Sequence, residues 1–486
     1  MFLRNLDDAK GLFDSIKGTF AGVGMTAFSR ITPSYFINQY NIVSLRATRD
    51  LSLLREKANI FCLENEEEKI AGENGFNSSR LLHHPKVREL LKGFPGSKYI
   101  LPYQNYPELE ALAEQEGWTL LSNPSSLRLR VGSRAFFKLM VQELKLPLIP
   151  GDIYPLEVIP ARDYGYWAGA LGSSFVVQLP EVVQGGGKGT FFIHSPSEYR
   201  ALKEGLKENR WRGALLKSVS IRKFVEGLPV SIALCLTKYG ILFTGIQKQL
   251  IDLPHCRDLA EDGVFCGHVW DETRWPPYVT QKAQKQARAI GEHLNALGYK
   301  GIFGIDFLID SRHEQVYPVE INPRFTGAFP MLSMLHIKRM VIPMEVFHIL
   351  EFLGVQYRID LEELNWGYAT PINGSHVLLF LLSEKNRKSI SGLDAGLYEY
   401  NPDNGSFFFV KEAFDYREIK NKRQFIITDG PPVRGGEAVG PCDALYRLCR
   451  LLFSHPVTGD DGVLETLARR AVDWAYKKMG ISEIGQ

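Results

Sequence analysis

The sequence predicts a multidomain protein of α/β and α+β class, on three observations. Short apolar runs alternate with helical segments over roughly the first 124 residues, the pattern of a small parallel sheet covered by helices. A strand, a glycine-rich loop and a second strand follow at 174–193. Two runs rich in Ile, Val, Phe and Tyr, 301–309 and 316–324, flank the short polar segment 310–315 and read as an antiparallel hairpin. At 486 residues the chain exceeds what one core holds, so three or four compact units are expected.

Composition narrows the class. A hydrophobic fraction of 45% with 23% charged residues is that of an ordered globular protein. The 57 basic and 55 acidic residues leave a net charge of +2, so no global field argues for nucleic acid or an anionic membrane, and any anion site must be local. Asp7 and Asp8 stand where a secretory signal would carry its apolar run, and no later stretch approaches membrane-spanning length. A soluble cytoplasmic protein with six reduced cysteines is expected. The spacing of His255, Cys256, Cys266 and His268 matches no common zinc pattern and reads as a loop with incidental thiols.

Taken in order, strands are expected at 41–45, 59–63, 98–101 and 119–121, with a helix opened by Pro107 between the last two. Gly22-Val23-Gly24 lacks the third glycine of a dinucleotide fingerprint and reads as a turn. Ser133 caps a helix whose apolar face carries Phe137, Met140, Val141 and Leu144. In 184–190 the lysine, Lys188, precedes Gly189 rather than Ser or Thr, so this is not a Walker loop. A glycine flap between strands can still close its amides and one lysine over phosphates. Ser195 and Glu198 form a capping box. The stretch 215–227 reads as a connection between lobes, and 231–236 with 241–245 as a hairpin turning at Lys238-Tyr239-Gly240. A helix over 279–297 feeds the second hairpin. Beyond 337 the pattern predicts helices at 341–353, 443–453 and 463–478 and strands at 376–382, 406–410 and 424–427.

The hairpin carries the chemistry. Strand alternation puts Glu320 and Asn322 on one face, and a turn over 311–315 sets Asp306 directly opposite Glu320. Two carboxylates facing across a ladder repel unless something positive lies between them. A divalent cation resolves that, and two acids with an amide oxygen are the hard donors that hold magnesium while nucleotide phosphates complete its octahedron. The competing reading is a pair of solvated residues on the outer face of an ordinary hairpin.

The order of these parts across 132–330 resembles the ATP-grasp superfamily, which includes biotin carboxylase, carbamoyl phosphate synthetase and the amino-acid and peptide ligases. The strongest elements are Gly304-Ile305-Asp306-Phe307 and Glu320-Ile321-Asn322-Pro323-Arg324-Phe325-Thr326-Gly327. The resemblance implies a Rossmann-like pre-ATP-grasp domain at 1–130, a small lobe with the flap at 131–220, a central lobe at 221–340 and a mixed C-terminal unit at 341–486. It implies that Asp306, Glu320 and Asn322 hold magnesium, with manganese as the alternative ion, and that Arg324 contacts phosphate or a substrate carboxylate. Lys248 stands where relatives place a basic residue near the reacting phosphate. ATP contacts fall by the same resemblance on Gly186, Gly187, Lys188 and Gly189 of the flap, on Lys223 and Val225 beside adenine, and on Arg134 and Gln178.

Three positions depart from the family pattern. Ser133-Arg134 stands for Asp-Lys, Gln178 for a phosphate-binding lysine, and Arg222 for an acid before the adenine segment. The activity implied is an ADP-forming carboxylate-amine ligase that joins a small-molecule acid and amine through an acyl phosphate; members of the family are often homodimers, and the sequence itself leaves the oligomeric state open. Two alternatives stay open: bicarbonate activation, although the chain has no biotin-carrying Met-Lys-Met segment, and a nucleotide-binding regulatory protein on a degenerate fold.

Overall fold

The computed structural model describes residues 1–486 except 68–76, 183–188, 212, 257–262, 272–274, 312–314, 381–391, 434–446, 460–461 and 482–486. The chain is a mixed α/β multidomain protein, in which a parallel sheet, a small antiparallel sheet and a large antiparallel sheet follow one another. Strands β1 (Thr19–Gly24), β2 (Asn41–Ser44), β3 (Asn59–Cys62), β4 (Lys98–Pro102) and β5 (Trp118–Leu120) pair in parallel in the order β3-β2-β1-β4-β5. Val23, Val43 and Ile100 bury against Leu109 and Leu112 of the helix Pro107–Glu116, which Gly117 ends in the left-handed region at φ 68°.

Gly22-Val23-Gly24 is not a turn but the carboxyl end of the central strand β1. Its glycines are there for closeness of approach. A Cβ at Gly22 would stand 2.1 Å from the Tyr40 hydroxyl, and one at Gly24 would stand 2.7 Å from Ser29 Oγ.

The next strands are β6 (Gly151–Pro155), β7 (Phe175–Gln178), β8 (Thr190–Ile193), the short pair β9 (Arg210–Trp211) and β10 (Ala214–Leu215), and β11 (Ser218–Lys223). An antiparallel sheet orders them β6-β11-β7-β8, with β9 and β10 apart as a small hairpin. Gln178 pairs with Thr190, so the glycine segment leaves one strand and enters the next at the same edge. The capping box is present: Ser195 Oγ accepts from the Glu198 amide at 3.3 Å, and Glu198 Oε2 accepts from the His194 amide at 2.5 Å. Of the expected connection, 218–223 is β11, leaving Phe224, Val225 and Glu226 to lead into the large sheet.

That sheet has eleven strands. They are β12 (Gly227–Thr237), β13 (Gly240–Phe243), β14 (Gln247–Ile251), β15 (Phe265–Trp270), β16 (Gly301–Asp310), β17 (Val316–Asn322), β18 (Gly374–Leu379), β19 (Gly396–Asn401), β20 (Ser406–Lys411), β21 (Gln424–Thr428) and β22 (Cys449–Phe453). The order is β17-β16-β12-β14-β15-β18-β22-β21-β19-β20, with β13 on β12, so one sheet runs on both sides of position 340. On one face Val230, Ile232, Phe303 and Ile305 pack against the helices Arg134–Glu143 and Pro277–Ala296. Ala233, Cys235 and Ile302 pack on the other face against Phe329–Lys338 and Met344–Leu353.

Residues 449–453, expected as the end of a helix, are strand β22; the rest of that helix, 443–446, lies outside the described residues, and 447–448 are not helical. Five consecutive buried residues carry no period, and pairing with β18 and β21 decides the outcome. β19 was not anticipated.

Glu345 reports on this packing. It is 3% exposed in the helix Met344–Leu353, with Ser333 Oγ 2.6 and 2.8 Å from its two oxygens, and burial pushes its carboxyl up to about 7 against the hydrogen bond from Ser333. A carboxyl with a folded pKa above its unfolded value binds more protons in the native state between the two. Its contribution to stability is therefore full below about pH 4.5 and is lost as pH rises through about 7. Buried His268, His336 and His348, held down to about 3 by burial, act in the opposite direction. The expected result is a difference: Glu345→Gln gains stability relative to wild type as pH rises from 4.5 to 7, read from denaturant midpoints. A difference that is flat with pH refutes the assignment.

Candidate functional site

The two acids do face one another, but not by simple alternation from the turn: Ile309 pairs with Val316 and Phe307 with Pro318, one residue off the expected register, and an extra residue at Val319 restores it. Asp306 of β16 faces Glu320 of β17, Gly304 faces Asn322, and a bulge follows Asp306. Burial, and then the charge of Glu320, push the Asp306 carboxyl well up. Asn322 Nδ2 donates to Asp306 Oδ2 at 2.9 Å and reaches Glu320 Oε1 at 3.5 Å, while Asn322 Oδ1 accepts from Arg324 Nη2 at 2.9 Å. Arg324 Nη1 donates to the Tyr103 hydroxyl at 2.6 Å and to Phe325 O at 3.0 Å. One hydrogen-bonded array thus runs from the carboxylates to the carboxyl end of β4.

The donor set fits a hard divalent cation. Two half-buried carboxylates face one another and accept amide N–H groups, from Asn322 and from Gln249 Nε2, which donates to Asp306 Oδ1 at 2.9 Å. The Asn322 oxygen is turned to Arg324, so the amide must rotate to join such a set. Among the described residues no group of three or more His, Cys, Asp or Glu is placed to hold a metal. Two acids with an amide leave the remaining ligand positions to a substrate or water.

The small lobe brings a second group to the same place. Arg134 Nη1 donates to Gln178 Oε1 at 2.7 Å, and Gln178 Nε2 donates to Thr190 Oγ1 at 3.3 Å, linking the capped helix to both strands at the base of the flap. Burial lowers the Arg134 pKa and Glu320 opposes it; Arg222, 8% exposed, is lowered to about 10 by burial and then by Arg134, against Asp152 and Glu320. The two arginines and Glu320 therefore share one electrostatic neighbourhood. Gly186, Gly187 and Lys188 lie outside the described residues. Gly189 has φ 82°, and a Cβ there would stand 3.1 Å from Val182. Lys223 is exposed at the end of β11, and Val225 is half-buried in the connector.

Lys248 is not brought to this cluster. It pairs with Val230 and Val269, on the opposite face from its neighbours Gln247 and Gln249, and its Nζ donates to Thr458 Oγ1 at 3.1 Å and to Gly459 O at 2.8 Å. The polar side chain of β14 that meets the acids is Gln249. A strand's parity tells which residues share a face, but not which face meets the partner. Tyr103 was also missed, although it follows directly on the carboxyl end of a parallel strand, where such sheets take ligands.

A polar row continues across the sheet. Ser231 Oγ lies 3.4 Å from His268 Nε2, and His268 Nδ1 lies 3.0 Å from His376 Nε2. His376 Nδ1 meets Arg450 Nη1, and Arg450 pairs with Asp429 at 3.2 Å. His268 and Cys266 are thus side chains of strand β15, and Cys256 is buried in the turn before it.

Comparisons with known proteins show what the chain is similar to. Residues 186–328 match the ATP-grasp domain family. The chain is 25% identical over 223 residues to the carbamoyl phosphate synthase arginine-specific large chain of Geobacillus stearothermophilus, a match covering 45% of this chain and 19% of that one. It is 24% identical over 244 residues to the formate-dependent phosphoribosylglycinamide formyltransferase of Pseudomonas putida, covering 48% and 56%. The chain thus spans about a fifth of the first and just over half of the second. Its fold is similar to the biotin carboxylase domain of Hydrogenobacter thermophilus 2-oxoglutarate carboxylase, solved with MgADP and bicarbonate, at TM-score 0.59 and 14% identity over 91% of this chain and 87% of that one. It is also similar to carboxyaminoimidazole ribonucleotide synthase of Aspergillus clavatus with ATP, at TM-score 0.52 and 13% identity over 94% and 98%.

Proposed function

We propose that this chain, which carries an ATP-grasp domain over residues 186–328, is an ATP-dependent ligase that joins a small-molecule acid to an amine. The observation that carries the reading is the array Glu320, Asp306, Asn322, Arg324, with Arg134 and Gln178 beside it at the base of the glycine flap. A magnesium ion held by Asp306 and Glu320, with Asn322 once its amide turns, supplies charge neutralisation at the terminal phosphates of ATP.

The chain's own residues account for the rest. Arg134 and Arg222 offer positive charge on the small-lobe side, where Gln178 contributes a dipole rather than a charge. By the resemblance, the phosphates fall to the glycine segment Gly186, Gly187, Lys188 and Gly189, whose amides and single ammonium group suit them chemically. The connector carrying Lys223 and Val225 takes the adenine. Arg324, tethered to Asn322 and Tyr103, orients the substrate carboxylate for attack on the γ-phosphorus and offsets the charge spreading over the transferring oxygens. The bond to ADP breaks as the acyl phosphate forms. The amine then displaces inorganic phosphate, leaving an amide.

The test is release of ADP and phosphate by the purified chain with ATP, magnesium and a panel of small acids and amines. ADP must rise in step with a condensation product detected by mass spectrometry. Absence of ADP release from folded protein across the panel sinks the proposal, and release that depends on bicarbonate alone redirects it to carboxylation.

A further inference from the structure

Beside Arg324 lies a small cleft open to solvent, bounded by the residues that follow β4 and β5, by the helix Ser125–Val131 and by the segment after β17. It sits outside the carboxyl ends of a parallel sheet, the side on which such sheets take ligands. Its lining is aromatic and amide in character, from Tyr103, Tyr299, Phe325, Asn105 and Asn123, and contains no carboxylate. Two guanidinium groups do line it, those of Arg128 and Arg324.

Neither Arg128 nor Arg324 makes an ion pair among the described residues, and in the cleft lining Ser122 Oγ and Arg128 Nε are buried with no hydrogen-bond partner. Burial, and then the charge of Arg324, hold the Arg128 guanidinium below its ordinary value against the opposing effect of Tyr106. A third cation stands behind the wall. Arg30, 4% exposed, has its guanidinium carbon 5.4 Å from the centroid of the Tyr103 ring and 5.0 Å from that of Phe325, with Nε unpartnered. Neighbouring acids, Glu110 toward Arg128 and Glu345 toward Arg30, act on these cations without pairing with them, and donors left without a partner beside a cleft are satisfied by an anion that enters it.

Arg324 already gives N–H groups to Asn322 and Tyr103, and in the ligase reading, on which this step rests, it meets the carboxylate that reacts. The donors of Arg128 and Ser122 remain. We propose that the acid substrate carries a second anionic group, a carboxylate or a phosphate, and that Arg128 and Ser122 bind it. The substrate is then a small dianion that spans the cleft from Arg324 to Arg128, its apolar middle against Tyr103 and Phe325.

Calorimetric titration of the full chain without nucleotide tests this with three probes of similar length: butyrate, glutarate and 3-phosphonopropionate. At least one of the two dianions is expected to bind about tenfold or more tightly than butyrate, with an affinity that falls as salt rises. The tighter of the two identifies the second group as carboxylate or phosphate. Arg128→Gln reduces the dianion to the butyrate level, Arg128→Lys keeps most of the preference, and Ser122→Ala, which deletes a hydroxyl with no partner in the fold, weakens the dianion alone. Equal binding of all three probes overturns the proposal. So does absence of binding by any of them, or a dianion preference that survives in folded Arg128→Gln. If Arg128→Gln does not fold, the Arg128→Lys and Ser122→Ala results decide by the same criteria. Loss of the ligase reading is separately visible, since ADP release would then be absent while the dianion preference persisted.

Discussion

Glu320→Ala is expected to lower ATP turnover by about a thousandfold while leaving the fold in place. In the ligase reading the size follows from losing one of the two carboxylates assigned to the cation, an electrostatic contribution of about 4 kcal/mol at the transferring phosphate. The small structural cost follows from the register. Glu320 directly faces Asp306, and like charges across a ladder are destabilising, so its removal relieves repulsion while deleting only a half-buried side chain on an edge strand. Stability should change by less than about 1 kcal/mol. Glu320→Gln sharpens the result, because it keeps an acceptor for Asn322 and loses only the charge. Turnover within tenfold of wild type, in protein with an unchanged denaturant midpoint, would falsify the assignment of this pair to the nucleotide site. Loss of turnover together with loss of fold would leave Glu320 a structural residue.

The legibility of this site in the sequence was uneven, and the reasons are physical. The hairpin and the facing of Asp306 and Glu320 could be read because two apolar runs flank a short polar segment, but the route could not: the ladder near the turn is one residue off, and a bulge at Val319, which no local signal marks, restores the pairing. The capping box at Ser195 and the helix opened by Arg134 could be read because their signals lie within one helical turn of each other. Three things could not. Gly22 and Gly24 sit in a central strand because Tyr40 and Ser29 crowd them, a contact invisible without the fold. Residues 449–453 are apolar without period, so only their neighbours β18 and β21 make them a strand. Lys248 and Gln249 are adjacent in one strand, and which of them meets Asp306 depends on pairings with β12 and β15 that join residues far apart in the chain.

The second large effect is expected at the junction between the parallel sheet and the eleven-stranded one. Arg450 and Asp429 are both fully buried and lie 3.2 Å apart; Arg447 adds a contact to the same oxygen at 2.7 Å, and Thr26, just beyond β1, donates to the other. Asp50, buried after β2, accepts from the Asp429 amide at 2.6 Å and from Thr428 Oγ1 at 2.7 Å. Burial lowers Arg450 to about 10, which leaves it charged at neutral pH. Asp429→Ala therefore strands a buried guanidinium whose other partners among the described residues are Gly327 O, 3.1 Å away, and the ring nitrogen of His376. A loss of about 3–5 kcal/mol is expected, the cost of an uncompensated buried charge. Replacing both partners by apolar residues of similar volume, Asp429→Leu with Arg450→Met, should recover most of that loss, because desolvation of the pair offsets much of its attraction. Denaturant midpoints of the two single variants and the double variant measure the coupling. If Asp429→Ala costs less than about 1 kcal/mol, the pair does not hold the junction; if the double variant is as unstable as the sum of the singles, the loss comes from packing rather than charge. Tyr103 of the parallel-sheet side meets Arg324 of the other, so in the ligase reading a loosened Asp429 variant should bind the acid substrate more weakly, while affinity for the nucleotide, assigned there to the small lobe and the hairpin, stays close to wild type.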